Sequence, residues 1–475
     1  MEVALMRKGM VLVFLVLILC SFLAAQETEG IKIGNTTWTF NGEIRFMYTD
    51  QTDPMYYNLF YAATKAPMYS DIDGFNRMYQ RYRFGVTGAL SDRLSAHFQL
   101  QVGDEQWGNK NYNEREVNIK TLYAYLQFAP EFLGDNTSIR VGLQPYDDIF
   151  QYSIYSDEAV GVLINHANDT FSANLGYFTL RDDDVDNDWD AAEDGDYYIW
   201  PLSETLFVFD MNYKATDALN VKGAFYYDSI PKAYTDIDDD EYFKYNMAFF
   251  GAGFDYLMNE NMSFGGHFVM RSGKLESYDE GDLEFEIEGN GWFAYAYTTY
   301  TMDKFSAKLN FGYTPFDFEE NEDHSVSLTT WSGAFPLVDY GFAVDDMFLF
   351  INGNQWQTAY GLVYFGRGDV CDRQAVNGGY GGYGGLMVVS ANLSYDFLFA
   401  NFGIMNHTFS NETFPSDFSK SIGTELDLGV KTNIMEGLEF KAVYAMFFVG
   451  DFYTFGGSED VDNAHEMSMQ LRYAF

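Results

Sequence analysis

Asp182, Asp184, Asp186, Asp188, Asp190 and Glu193 stand at positions 1, 3, 5, 7, 9 and 12 of a twelve-residue window. That is the ligand spacing of a calcium loop, in which alternate oxygens wrap one hard cation. Asn187 holds the place where the sharp turn wants Gly, and Trp189 stands where a small aliphatic is usual. In a run so rich in Asp the spacing also arises by chance, so Ca²⁺ is the one cofactor the sequence raises, without requiring it. A second constellation is basic. Arg81, Arg83 and Arg140 lie in segments of otherwise apolar and aromatic character. Guanidinium groups held in a low-dielectric tube attract anions. Six histidines are scattered singly, and His97, His166 and His267 fall within alternating segments. There is no nucleophile elbow, P-loop, dinucleotide fingerprint or HExxH motif. The chain is therefore expected not to be an enzyme, and its side-chain chemistry points to binding or passage of charged solutes.

The elements that must position these residues are strands. Met467, Met469, Leu471, Tyr473 and Phe475 alternate with Ser468, Gln470, Arg472 and Ala474. Alternate side chains of a strand point to opposite faces, so this segment has one apolar and one polar face. The pattern recurs along the chain. Trp38, Phe40, Ile44, Phe46 and Tyr48 alternate with Asn41, Glu43 and Arg45. Further repeats run over Arg81–Val102, Leu219–Tyr227, Phe305–Tyr313 and Leu438–Phe448. Each unit has about the 9–11 residues that a tilted strand needs to cross a bilayer. The composition agrees: 45 Phe, 37 Tyr and 43 Gly against 9 Pro favour many strands over helices.

Residues 1–25 read as a signal peptide, with Arg7 and Lys8 ahead of a short apolar stretch from Met10 to Leu23 and a small-residue exit at Leu23-Ala24-Ala25. Residues 26–475 are then the mature barrel. No later apolar run is long enough for a spanning helix, which leaves a closed β-barrel as the way to cross lipid. Cys371, the one cysteine beyond the signal, reads as a loop thiol.

The connections sort into two kinds. Ser91-Asp92-Arg93, Asn168-Asp169, Thr216-Asp217, Asn259-Glu260-Asn261 and Met302-Asp303-Lys304 are tight. Long polar stretches lie between them at 50–76, 104–116, 181–203, 228–241, 272–288, 316–340, 367–384 and 451–465. Short turns on one rim and long loops on the other are the habit of outer-membrane barrels. About twenty strand candidates can be marked, including 341–351 and 355–366 joined at Asn352-Gly353. An even count of 16, 18 or 20 is compatible, with 18 the central expectation.

The net charge of −42 is concentrated in the long stretches, as at Asp182–Asp196, Asp236–Glu241 and Glu319–Asp323. Such a surface is solvated and self-repelling, and it could also hold cations. Alternation turns a different set inward: Arg45, Arg77, Arg81, Arg83, Arg140, Lys222, Arg271, Lys308, Lys441 and Arg472, with Glu43, Glu425, Asp427 and Glu439. These residues line a pore if the barrel is open. They either select anions or pair with one another and stiffen the wall.

Several of these segments resemble the alginate-export family of outer-membrane porins. The run Arg81–Gln101 (RYRFGVTGALSDRLSAHFQLQ) is similar to that family's second and third strands. Leu122–Phe128 with Arg140–Gln144 (RVGLQ) resembles the fourth and fifth. Gly423–Leu428 (GTELDL) and Tyr444–Phe452 (YAMFFVGDF) resemble the closing strands. The resemblance implies an 18-stranded, monomeric barrel with an arginine-rich constriction that passes an anionic polyuronate. Arg81, Arg83, Arg140, Glu425 and Asp427 match the family's inward positions. Leu143 stands where the family often has another Arg, and the loops here are more acidic.

The combined expectation is a single all-β antiparallel transmembrane barrel in the bacterial outer membrane. It would sit among outer-membrane lipid and lipopolysaccharide, as a monomer rather than a trimer, and bind no nucleic acid. It would let polar or anionic solutes, acidic sugars among them, diffuse through its lumen. The alternatives are a general cation-leaning porin ruled by its loops, and a barrel plugged by 316–340 that serves as a surface scaffold or adhesion protein.

Overall fold

A computed structural model describes residues 30–52, 74–106, 119–150, 154–181, 200–201, 204–236, 241–279, 282–315, 317–320, 326–329, 386–408, 420–450 and 463–475. Among these residues, eighteen antiparallel strands close into one ring. In chain order they are β1 Thr36–Thr52, β2 Gly74–Ser91, β3 Leu94–Gln106, β4 Ile119–Phe128, β5 Thr137–Asp147 and β6 Ser156–Ala167. Next come β7 Phe171–Arg181, β8 Glu204–Lys214, β9 Leu219–Asp236, β10 Glu241–Asn259, β11 Met262–Asp279 and β12 Asp282–Met302. The ring finishes with β13 Phe305–Thr314, β14 Leu386–Tyr395, β15 Leu398–His407, β16 Ser421–Met435, β17 Leu438–Val449 and β18 Ala464–Ala474. Every strand pairs with its neighbours in sequence, and β18 pairs with β1 from Glu43↔Ala474 to Thr52↔His465. At that seam Gly42 and Phe475 exchange both backbone hydrogen bonds, at 2.9 and 3.1 Å. Short strands at Ile31–Ile33, Trp200–Pro201, Asp317–Glu320 and Val326–Thr329 add to the edges of the ring.

The alternation read from sequence is the alternation of the wall. Phe250, Phe254, Phe268, Met270, Leu309, Phe311, Leu393, Phe402 and Leu471 are exposed on the outer face. Large apolar side chains standing bare all round a closed sheet make a lipid-facing band, because hydrocarbon replaces the partner that water would demand. Aromatic pairs mark its two margins. Phe225–Phe250 at 5.1 Å, Phe268–Trp292 at 5.5 Å and Trp292–Tyr313 at 5.3 Å lie toward the long-loop rim. Tyr256–Phe264 at 5.0 Å and Tyr300–Phe305 at 6.4 Å lie toward the short turns. The five tight turns expected from sequence are all present, and two more follow at Asp396-Phe397 and Glu436-Gly437. Asp303 and Asp396 carry φ values of 51° and 57°, the left-handed backbone that a two-residue hairpin demands.

Three expectations need correction. The stretches 228–241 and 272–288 are not long loops, because β9 to β12 run on through them for 18, 19, 18 and 21 residues. Their charged residues are carried by strand that has left the lipid, where alternation no longer has to be apolar. Phe305–Thr314 pairs directly with Leu386–Tyr395, so the wall closes there without 341–351 or 355–366, which lie outside the described residues. The ring has eighteen members, the central expectation from sequence.

The outer face supplies a direct test of the register. Phe311→Arg is expected to lower stability in lipid by about 2–4 kcal/mol. Lys308→Ala, on the inner face of the same strand, should change it little. Urea titrations followed by tryptophan fluorescence in vesicles would show little cost for Phe311→Arg, and a gain for Lys308→Ala, if the wall faced the other way.

Candidate functional site

The lumen is divided between two kinds of wall. One half, built by β5 to β12, carries a large apolar cluster on its inner face as well as apolar side chains on its outer one. Tyr146, Phe178, Leu206, Val208, Tyr226, Phe249, Val269 and Phe293 form a buried cluster there. The connection after β5 turns inward and packs on it through Phe150, Ile154 and Tyr155. Asp148 holds that connection in place. Its carboxylate accepts hydrogen bonds from the backbone N–H groups of Phe150 and Ile154, both at 2.6 Å, and of Tyr155 at 2.9 Å. Gly251 has no side chain because the Phe150 ring occupies the space where a Cβ would stand. The Asp210 carboxylate within this half is met locally. Tyr146 and Tyr226 donate to Asp210 at 2.5 and 3.4 Å, and the Asn174 amide donates to its other oxygen at 2.9 Å.

The other half is charged. The registers Arg45↔Arg81 and Arg45↔Arg472 set three arginines in one row across β2, β1 and β18. Like charges placed opposite one another repel. Glu43, two positions along β1, offsets this: its Oε1 accepts from Arg81 at 2.5 and 3.1 Å and its Oε2 from Arg472 at 2.6 Å. Beside the row, Arg83 donates to Gln101 at 2.8 Å. Arg140 lies 5.8 Å from the Tyr125 ring, and that ring stacks on His97 at 4.6 Å. Four guanidinium groups thus stand close together on β1, β2 and β18, and two of them, Arg81 and Arg472, donate to Glu43.

The structure brings part of the predicted set together and separates the rest. Arg45, Arg81, Arg83 and Arg472 gather on β1, β2 and β18, while Arg140 stands apart on β5, opposite Gln127 and nearer the short turns. Lys222 pairs with Asp255 at 2.7 Å, to which Tyr297 also donates at 2.6 Å, and Lys308 lies 5.7 Å from the Tyr297 ring. Lys441 lies 5.9 Å from the Phe399 ring, and Glu439 pairs with Lys431 at 3.4 Å. Arg271 is buried on β11, away from the arginine row. Arg77 stands opposite Thr49 on β2, and its side chain is outside the described residues. So are Asp182, Asp184, Asp186, Asp188, Asp190 and Glu193, and Cys371.

Glu425 and Asp427 belong to a polar chain that the sequence reading did not connect. Tyr295 donates to Asn310 at 2.6 Å, Asn310 to Asn392 at 2.9 Å, Asn392 to Asn401 at 3.2 Å and Asn401 to Asp427 at 3.3 Å. Each asparagine is an inward position of its strand, and the period-two rule could have found them as a set. The apolar inner half was also missed. Its signal was there in the unbroken apolar runs Leu206–Phe209 and Ala248–Phe250, which mark strands covered on both faces.

No protein-family model and no curated relative matches the chain. Solved structures do. It is similar to OccK9 (OpdG) of Pseudomonas aeruginosa, at 11% identity over 92% of this chain and 98% of that one, with a TM-score of 0.50. It is equally similar to OccAB3 of Acinetobacter baumannii, at 9% identity over 92% and 99%, with a TM-score of 0.50. At such identities the likeness is one of fold: a closed eighteen-stranded barrel of the outer-membrane kind.

Burial pushes the Asp148 carboxyl from its ordinary 3.8 up to about 6, against the pull of its three backbone donors and with the Asp210 charge adding to the rise. A raised value favours the folded protein at low pH, and the contribution is lost as pH climbs through about 6. The shift corresponds to about 3 kcal/mol at most. Thermal melts in detergent should therefore give wild type a gain in Tm between pH 7 and pH 5 that Asp148→Asn lacks. Parallel pH profiles for the two proteins would remove Asp148 as the source.

Proposed function

We propose that the chain is an outer-membrane channel through which polar solutes diffuse, with a preference for anions that travel along the arginine half of the lumen. The observation that carries this reading is the row Arg81–Arg45–Arg472, in which Arg81 and Arg472 both donate to Glu43 and Arg45 stands between them. Pairing with Glu43 fixes the guanidinium groups in position. The row stays dense in guanidinium groups, and in a lumen walled by low-dielectric protein such a row raises the local concentration of anions. The apolar half contributes by exclusion: Phe150, Ile154, Tyr155 and the side chains beneath them occupy its share of the cross-section, so a permeating solute is kept against the charged half. Acidic sugars, uronates of the alginate type among them, suit a wall of guanidinium forks, which bind carboxylates in a bidentate manner.

The cation-leaning alternative draws on the acidic total of the chain, and the scaffold alternative on the covered apolar half of the lumen. One recording separates all three. In planar bilayers the purified protein should open steadily, and a salt gradient should give a reversal potential on the anion side. Arg81→Ala combined with Arg83→Ala should move that potential toward zero, and oligomeric mannuronate should reduce the current. Silence would favour the scaffold. A cation-side potential indifferent to the arginine substitutions would return the selectivity to the loops.

A further inference from the structure

The outer face of β9 to β12 changes character above its last apolar row, Phe250–Met270–Trp292. In the next row Ser272 donates to Asn290 at 2.8 Å. Two rows higher stands Lys244, on the same face as Phe250 and six residues from it. Its ammonium lies 4.3 Å from the centre of the Tyr278 ring and 5.6 Å from that of Tyr242. Those two rings stack at 4.8 Å. Lys232 comes to the same place, with its ammonium 3.9 Å from the Tyr242 ring, where the register of β9 on β10 shifts between Ile230 and Ala233. The carboxylates nearby are engaged with other groups. Glu276 stands opposite Lys244 in register, yet it accepts from the Tyr278 hydroxyl at 2.9 Å. Glu286 and Glu288 hold Lys274 at 2.7 and 3.5 Å. A tyrosine ring attracts an ammonium without cancelling its charge. Two cations are thus gathered on one aromatic base, outside the barrel and above the lipid.

We infer that Lys232 and Lys244, seated on Tyr242 and Tyr278, form a docking surface for the phosphorylated sugar headgroup of lipopolysaccharide. The inference goes beyond the channel reading and does not depend on what crosses the lumen. Height selects the occupant. The long-loop rim is the external one, and aromatic side chains such as Trp292 sit at the level of the headgroups. Six residues of strand cover about 20 Å, or about 15 Å of height at the usual tilt. A phospholipid headgroup layer is only about 5–7 Å deep, so its phosphate lies below Lys244. A taller headgroup, built of sugars that carry phosphates, reaches the lysines. Charge agrees with height. A phosphate monoester brings nearly two negative charges and three acceptor oxygens, and ammonium groups are donors only.

Purified lipopolysaccharide is the probe, titrated against the full-length protein in detergent with EDTA present, so that bridging divalent cations play no part. Wild type should bind it, and Lys232→Ala combined with Lys244→Ala should weaken binding at least tenfold. Lys244→Arg keeps the charge over the rings and should bind like wild type. Lipopolysaccharide stripped of its phosphates should bind wild type as weakly as the native glycolipid binds the double variant. Inorganic phosphate and phosphatidylglycerol should not compete. Heat-modified mobility on gels confirms that each barrel is folded, and Lys244→Gln serves if the double variant is not. Equal affinities in wild type and the double variant would overturn the docking surface, and so would full binding of the dephosphorylated glycolipid. Competition by inorganic phosphate or by phosphatidylglycerol at equal concentration would overturn lipopolysaccharide as the occupant.

Discussion

Hydrocarbon offers no hydrogen bond, so every backbone N–H and C=O that crosses the bilayer must find its partner inside the protein. In this chain the requirement is met by a sheet with no free edge, closed where β18 lies on β1 and where Gly42 and Phe475 pair. Closure fixes more than the backbone. Once the ring is complete, each residue of a strand is assigned to the outside or the inside, and a slip of one position would exchange the two throughout that strand. The bare Phe311 and Leu309 and the inward Lys308 and Asn310 are neighbours in sequence that face different media.

What the inner face does with that assignment is uneven. On β5 to β12 the barrel folds like a water-soluble protein, burying Phe178, Phe249 and Phe293 under a connection of its own chain. On β1, β2 and β18 it keeps arginines close together and steadies them with Glu43. Removing one partner of such a buried pair costs about 3–5 kcal/mol elsewhere in proteins, so Glu43 and Arg81 hold each other in place on the inner wall. The two halves depend on each other. Without the apolar filling the bore would be wide and aqueous, and salt would screen the arginine field within about 10 Å.

The wall was legible in the sequence because its signal is periodic and repeated. Trp38 to Tyr48, Phe305 to Tyr313 and Met467 to Phe475 each show the alternation without help from the others. The tight turns were legible for the same reason, as brief polar interruptions. Three features were not. The apolar inner half breaks the alternation at Leu206–Phe209, and a strand covered on both faces resembles any other buried segment. The extension of β9 to β12 into 228–241 and 272–288 is masked by charge, since strand outside lipid has no need of an apolar face. Glu466 sits at the edge of the acidic stretch 451–465, and only the registers to Ala445 and Asp427 reveal that it belongs to the lumen. Register is a long-range property that a local pattern does not carry.

The length of β12, 21 residues, corresponds to about 70 Å of extended backbone, far more than a tilted crossing of the bilayer uses. Its surplus, with that of β9, β10 and β11, stands above the aromatic margin as a palisade on one side of the mouth. Lys274 bridges Glu286 and Glu288 there, and Ser272 bonds Asn290. That section is held by exposed polar ladders and the Tyr242–Tyr278 stack at 4.8 Å, and not by lipid. Unzipping on warming should begin at its crest and run down toward the row of Phe250 and Trp292, where solvent gives way to acyl chains. The entrance would then be lopsided and yielding while the bore beneath it stays rigid.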